Sequence, residues 1–180
     1  TLLGAGVLRS AFSDVFHLLA VLFSFLIGAA ISGYFLRDGA LHLSRYYSRL
    51  LSLEAVMLFG SVYFFTKNYG CGHYLASAAC GLQNALVTAY SGTVIRTTHV
   101  TGIFTDLGIM LGSALRGEPF DRRKASLFLL IIFGFMLGGT FGAYLFGIFG
   151  VEALYVPAGI CLVLALLYSV VVMGSTLKRF

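Results

Sequence analysis

Apolar residues gather along this chain into long unbroken blocks, and the few charged residues fall between the blocks. Block A runs from about Val15 to Leu36 without an Asp, Glu, Lys or Arg. Block B, about Leu50 to Thr66, is shorter and contains Glu54. Block C, about His73 to Gly92, lies in a stretch without formal charge from Asn68 to Ile95. Block D, about Ala125 to Phe149, and block E, about Ala153 to Thr176, are separated by a connection without Lys or Arg. A hydrocarbon layer about 30 Å thick is crossed by about 20 apolar helical residues, so the pattern predicts five transmembrane helices. Barrel strands would alternate apolar and polar positions over about ten residues, which these blocks do not. Val94 to Leu115, reading VIRTTHVTGIFTDLGIMLGSAL, differs in character, with Arg96, His99 and Asp106 among threonines and glycines. It fits a helix extension, an interfacial helix or a re-entrant segment buried in protein.

Composition agrees with a membrane class. Of 180 residues, 59% are hydrophobic and 11% charged, against about 25% charged in an ordinary soluble domain, and the mean hydropathy is +0.94. The net charge of +5 does not point to nucleic acid, because the basic residues are scattered between apolar blocks and form no basic face interleaved with aromatics. Cys71, Cys80 and Cys161 have no CxxC spacing and read as packing residues, so neither metal nor cofactor is expected. The chain begins at Thr1 without a basic signal-peptide region, which reads as a trimmed start.

Lys and Arg concentrate on the cytoplasmic side of membrane proteins. Arg37, Arg45 and Arg49 follow block A; Arg96, Arg116, Arg122, Arg123 and Lys124 lie between C and D; Lys178 and Arg179 follow E. Only Arg9 and Lys67 fall on the other side. The distribution predicts a cytoplasmic C-terminus and, for five spans, an outside N-terminus, which in turn predicts a preceding span.

The chain also resembles itself. FLIGAAISGYFL, Phe25 to Leu36, matches FMLGGTFGAYLF, Phe135 to Phe146, aligning Phe25, Gly28 and Tyr34 with Phe135, Gly138 and Tyr144. The match predicts two three-helix repeats, residues 1–66 being the remainder of the first without its opening helix and 73–180 the second, within a single integral membrane domain. An odd number of helices per repeat inverts one repeat relative to the other, a recurrent plan of secondary transporters.

The run CGLQNALVTAYSGTVIRTTHVTGIFTDLGIMLG, Cys80 to Gly112, resembles the signature of the YoaK-like family of uncharacterised bacterial membrane proteins. The matching residues are Gly81, Gln83, Asn84 and Ala85, then Thr97, Thr98, His99, Thr101, Gly102, Thr105, Asp106, Leu107 and Gly108. The resemblance implies a six-helix protein of the bacterial inner membrane, of unknown and transport-related function, and carries over no catalytic residues. An upstream helix and an M-T-G-N motif of the family are not in this chain; Thr1 to Gly4 resembles the continuation of the family sequence just after that motif.

Polar groups inside spans are costly and are default site candidates. Gln83 and Asn84 sit side by side in block C, where Ser77, Gly81, Asn84 and Thr88 share a helical stripe. They form either the wall of a substrate pathway or interhelical hydrogen-bond contacts. If the next stretch is helical, His99, Gly102 and Asp106 share a face beside a hydroxyl stripe of Thr98, Thr101 and Thr105, with Arg96 as a charge partner. An imidazole and a buried carboxylate there would exchange protons with a moving solute; the plainer account is a capped, solvated helix end. Glu54, the only carboxylate within an otherwise plain span, is expected to reach out to the basic interface near Arg45 or Arg49, with proton coupling as the alternative. Gly134, Gly138 and Gly142 in block D, with Gly28 and Gly33 in block A, are expected to let helices approach closely, with A and D crossing at the pseudo-two-fold axis. No HExxH, Walker loop or G-x-S-x-G run is present, so no enzyme is expected. The function expected is a small-solute secondary transporter or permease in the lipid bilayer, taking a small molecule or ion and open to homo-oligomer formation. The alternative is a non-transporting scaffold or assembly partner.

Overall fold

The computed structural model describes residues 12–36, 45–90 and 100–177, all of them helical or in turns. Helix α1 spans Phe12–Phe35, α2 Arg45–Thr66, α3 Cys71–Tyr90, α4 Val100–Leu115, α5 Arg122–Phe149 and α6 Tyr155–Leu177. A 3-10 turn, Gly150–Leu154, joins the last two. Each block therefore became a helix, with α2 beginning five residues before block B. Charge marks where an apolar block ends, whereas a helix continues for as long as its backbone bonds are satisfied. The stretch from Val94 is helical from Val100; residues 94–99 lie outside the described residues.

Three segments are long and apolar enough to cross a membrane: Asp14–Phe35, Tyr46–Thr66 and Arg122–Val171. The last is 50 residues long and contains two helices, because Gly150 adopts φ 57°, ψ −134°, a conformation open to glycine. Helix α3 is not among the three. It carries His73, Ser77, Gln83 and Asn84 within its length, and it is the helix packed along both α1 and α2. The whole is an all-helical, membrane-compatible protein.

Four helices form a bundle in which α1 packs on α3, α3 on α2, and α2 on α6. Register fixes their directions. His17 meets Tyr74 at 3.1 Å and Ser77 meets Val21 at 2.7 Å, so α1 and α3 run parallel. Tyr47 lies 4.8 Å from Tyr168 and Phe59 lies 5.9 Å from Tyr155, so α6 runs antiparallel to α2. The α2–α3 turn reverses at Asn68, whose positive φ of 57° suits asparagine better than most residues. Leu50, Leu51, Leu82, Leu86 and Ala165 make one core cluster, and Ala55, Leu58, Ala79, Ala158 and Cys161 the next.

The other two helices make an arm. Helix α4 turns back on α5, burying Ile103, Phe128 and Ile132 between them. Asp121 caps α5 by accepting from the Lys124 backbone N–H at 3.0 Å. Beyond its first turns α5 is exposed along its length. The expected crossing of blocks A and D is therefore corrected. Helix α1 gives its small-residue face to α3, and α1 and α5 do not pack on each other.

Candidate functional site

Backbones approach most closely where α1 crosses α3. A methyl group added at Gly28 would run into the carbonyl of Ala78, and one added at Gly81 into the carbonyl of Phe25. Only glycine permits this reciprocal contact, and it brings Ser77 Oγ within 2.7 Å of the Val21 carbonyl, to which it donates. The Ser77–Gly81 part of the α3 stripe is thus interhelical contact. Thr88 turns back on its own helix, donating to the Asn84 carbonyl at 2.7 Å.

Helix α2 lies between α3 and α6 and carries Glu54 near its middle. Nine residues into a helix rising 1.5 Å per residue, Glu54 is about 14 Å from the α2 start. Its residue is 4% exposed, the buried cluster beside it is Ala55, Leu58, Ala79 and Ala158, and the Cys161 thiol of that cluster lies next to its carboxyl. Cys80 of α3 is close enough to feel its charge. The second oxygen, Oε2, has no hydrogen-bond partner. Glu54 therefore does not reach the basic interface as the sequence suggested; the guanidinium of Arg49 instead lies over the Tyr46 ring at 5.6 Å. The physical reason is helical phase. Leu51, Glu54, Ala55, Leu58, Ser61 and Val62 form one buried stripe at intervals of three and four, and that stripe faces α3 and α6.

Two more buried oxygens in the bundle lack partners, Ser32 Oγ on α1 and Gln83 Oε1 on α3. They lie at a similar level. Gln83 is twelve residues, about 18 Å, from the start of α3, opposite the part of α2 that holds Glu54. Ser32 sits between Ile31 and Leu36, which pack on the Leu50, Leu51, Leu82 and Leu86 cluster. A buried polar atom without a partner costs about 1–3 kcal/mol, so three at one depth are conspicuous.

The other sequence candidates fall elsewhere. Arg96, Thr98 and His99 lie outside the described residues. Thr101 and Asp106 are exposed on α4, where Thr105 donates to the Thr101 carbonyl at 3.0 Å. Because α4 packs on α5 while α3 packs on α1 and α2, the Gln83–Asn84 pair and Asp106 stand on separate parts of the fold. Gly33, Gly134, Gly138 and Gly142 have nothing within 4 Å of where a side chain would begin. Sequence reasoning missed Ser32 and the Glu54–Cys161 pair. The signal available for them was the phase shared by Glu54 with Ala55 and Ser61.

A family model described as protein of unknown function (DUF1275) matches residues 1–167. The chain belongs to that family. No curated relative and no solved structure matches it. Membership of DUF1275 accords with a resemblance to an uncharacterised membrane-protein family and assigns no residue a role.

Proposed function

We propose that this DUF1275 protein is a secondary transporter or permease for a small solute, with its site at mid-depth among α1, α2, α3 and α6. The observation that carries this reading is the set of three buried, unpartnered oxygens, Ser32 Oγ, Glu54 Oε2 and Gln83 Oε1, on three helices of an otherwise apolar bundle. Polar groups at membrane depth are costly and are retained where a solute or ion is handled. A site near the midplane at the interface of two repeats is the common transporter arrangement.

Inverted-repeat organisation has support in the sequence match between α1 and α5, which aligns Phe25, Gly28 and Tyr34 with Phe135, Gly138 and Tyr144. Shifting the described part of α1 by 110 residues lays it within α5, and the same shift lays the described part of α2 within α6. The same offset aligns Gly28 with Gly138. Helices α2 and α6 would then be equivalents packed antiparallel on the pseudo-two-fold axis, with Glu54 and Cys161 close to it. On that symmetry the open Gly138 face of α5 corresponds to the Gly28 face that α3 covers, and its partner is a helix equivalent to α3.

Five transmembrane helices, α1, α2, α3, α5 and α6, with α4 as a shorter re-entrant or interfacial helix, complete the reading. Arg45 and Arg49 stand at the end of the bundle where α1 and α6 finish, which supports a cytoplasmic C-terminus. The linked QNA and TTHVTGIFTDLG runs support placing the chain with the YoaK-like proteins of bacterial inner membranes.

Reconstitution of the full-length protein in proteoliposomes tests the assignment. A panel of labelled small solutes should include one taken up by the wild type and lost in the Ser32→Ala/Gln83→Leu variant, both proteins being folded and inserted. Uptake unchanged by that variant would remove the site. The scaffold alternative draws on the uncovered glycine face of α5, and a stable partner co-purifying from mild detergent without any solute flux would favour it.

A further inference from the structure

The bundle buries one carboxyl group, and among the described residues no cation is paired with it. Glu54 is 4% exposed. Of the elements packed on α2, α6 places the thiol of Cys161 beside it, and Cys80 of α3 is exposed. Helix α6 contains no Lys, Arg or His, and the only such residue of α3 is His73 in its first turn. Glu152 of the 3-10 turn is exposed. The described residues form one ion pair, Arg116 with Glu118, far along the chain on the α4–α5 connection.

Burying an unpaired carboxylate costs several kcal/mol even after relaxation, and such a group takes up a proton instead. A metal cation is the other means of neutralising it. Group I and II ions demand several oxygen ligands; among the described residues no group of three or more His, Cys, Asp or Glu comes together, and the unpartnered oxygens of Ser32 and Gln83 carry no charge. A proton neutralises Glu54 without any further ligand, whereas a metal cation needs several.

We propose that Glu54 is a proton-binding site, neutral while α2 is packed between α3 and α6, and that it supplies the coupling proton of the transport reading above, on which that second role rests. Proton uptake forms an O–H bond on the carboxyl and discharges it; release returns the carboxylate. Because only the neutral acid is compatible with the packed arrangement, release is linked to water reaching the α2–α6 contact, and the proton load follows the conformation of the bundle. Differential stability of two states toward one ligand is the condition for such coupling.

Difference infrared spectroscopy on the full-length protein in lipid, wild type against Glu54→Gln, reads the proton directly. The expected result at neutral pH is a carboxylic-acid C=O band present in the wild type and lost in Glu54→Gln. Cys161→Ala should shift that band without abolishing it, because the thiol lies next to the same group. Dicyclohexylcarbodiimide, which adds to protonated carboxyl groups shielded from water, should label the peptide containing Glu54 and not its Gln variant. No band lost in Glu54→Gln, or a band removed by exchanging choline for sodium, overturns the proposal. Glu54→Gln is close to isosteric with the neutral acid, and the Cys161→Ala shift gives an independent reading if that variant does not insert. Solute flux that is indifferent to a pH gradient would leave transport standing and sink the coupling role. A confirmed acid band with no flux for any solute would leave the proton site standing and sink transport.

Discussion

Helices α1 and α5 carry the same spaced small residues and meet opposite fates. On α1, Gly28 is pressed against the Ala78 carbonyl of α3, while Gly81 of α3 is pressed in return against Phe25. On α5, Gly134, Gly138, Gly139 and Gly142 have no neighbour within 4 Å. A stripe of glycines thus grants permission for close approach and does not choose the partner. The partner is chosen by what else the opposing helix offers: α3 brings its own glycine, a serine that donates to the Val21 carbonyl, and Tyr74 for His17. Helix α5 spends only its first turns on α4, through Phe128 and Ile132.

The sharpest way to break the contrast is to place a methyl group in each face. Gly28→Ala together with Gly81→Ala drives two methyl groups into backbone carbonyls, which cannot move aside as a side chain would. The double variant should lose about 3 kcal/mol of stability, read as an earlier midpoint in denaturant titration of the protein in mixed micelles. Ser77→Ala removes one interhelical hydrogen bond from the same crossing. It should cost about 0.6 kcal/mol, the usual value for such bonds in membranes, measured the same way. Gly138→Ala on the open face should change stability by no more than about 0.5 kcal/mol. A loss at Gly138 as large as that at Gly28 would mean that the α5 face is covered in the intact protein, and would carry the pseudo-symmetry from the sequence match into the packing.

Much of the helical layout was legible because charge and hydropathy are local properties. Each apolar interval between charged residues corresponds to a helix, and the turn at Gly117 and Asp121 and the break at Gly150 fall in the intervals between blocks. Orientation of side chains was less legible. In a soluble protein the apolar stripe of a helix names its inward face, but around a membrane helix every side is apolar. Glu54 could therefore be placed at a depth and not on a face. Reading small and polar residues as the inward marker, Ala55 and Ser61 with Glu54, would have turned it toward α3 and α6. The polar run from Gln83 to Asp106 misled in another way: adjacency in sequence suggested one site, and the chain instead carries its two ends into the bundle and the arm.

By itself the sequence determined that the protein is helical, that it suits a membrane, where its helices begin and end to within a few residues, and that it belongs with an uncharacterised family. These come from backbone hydrogen bonding and from the cost of charge in hydrocarbon, both counted residue by residue. Tertiary structure alone decided that α3 rather than α5 receives Gly28 of α1, that Glu54 is buried between α3 and α6 instead of reaching out to Arg49, and that Asp106 stands apart from Gln83. Those outcomes depend on helix phase and on which surfaces meet. Such contacts join residues 56 positions apart, as between Ser77 and Val21, or 117 apart, as between Ser48 and Ala165, and no local pattern encodes them.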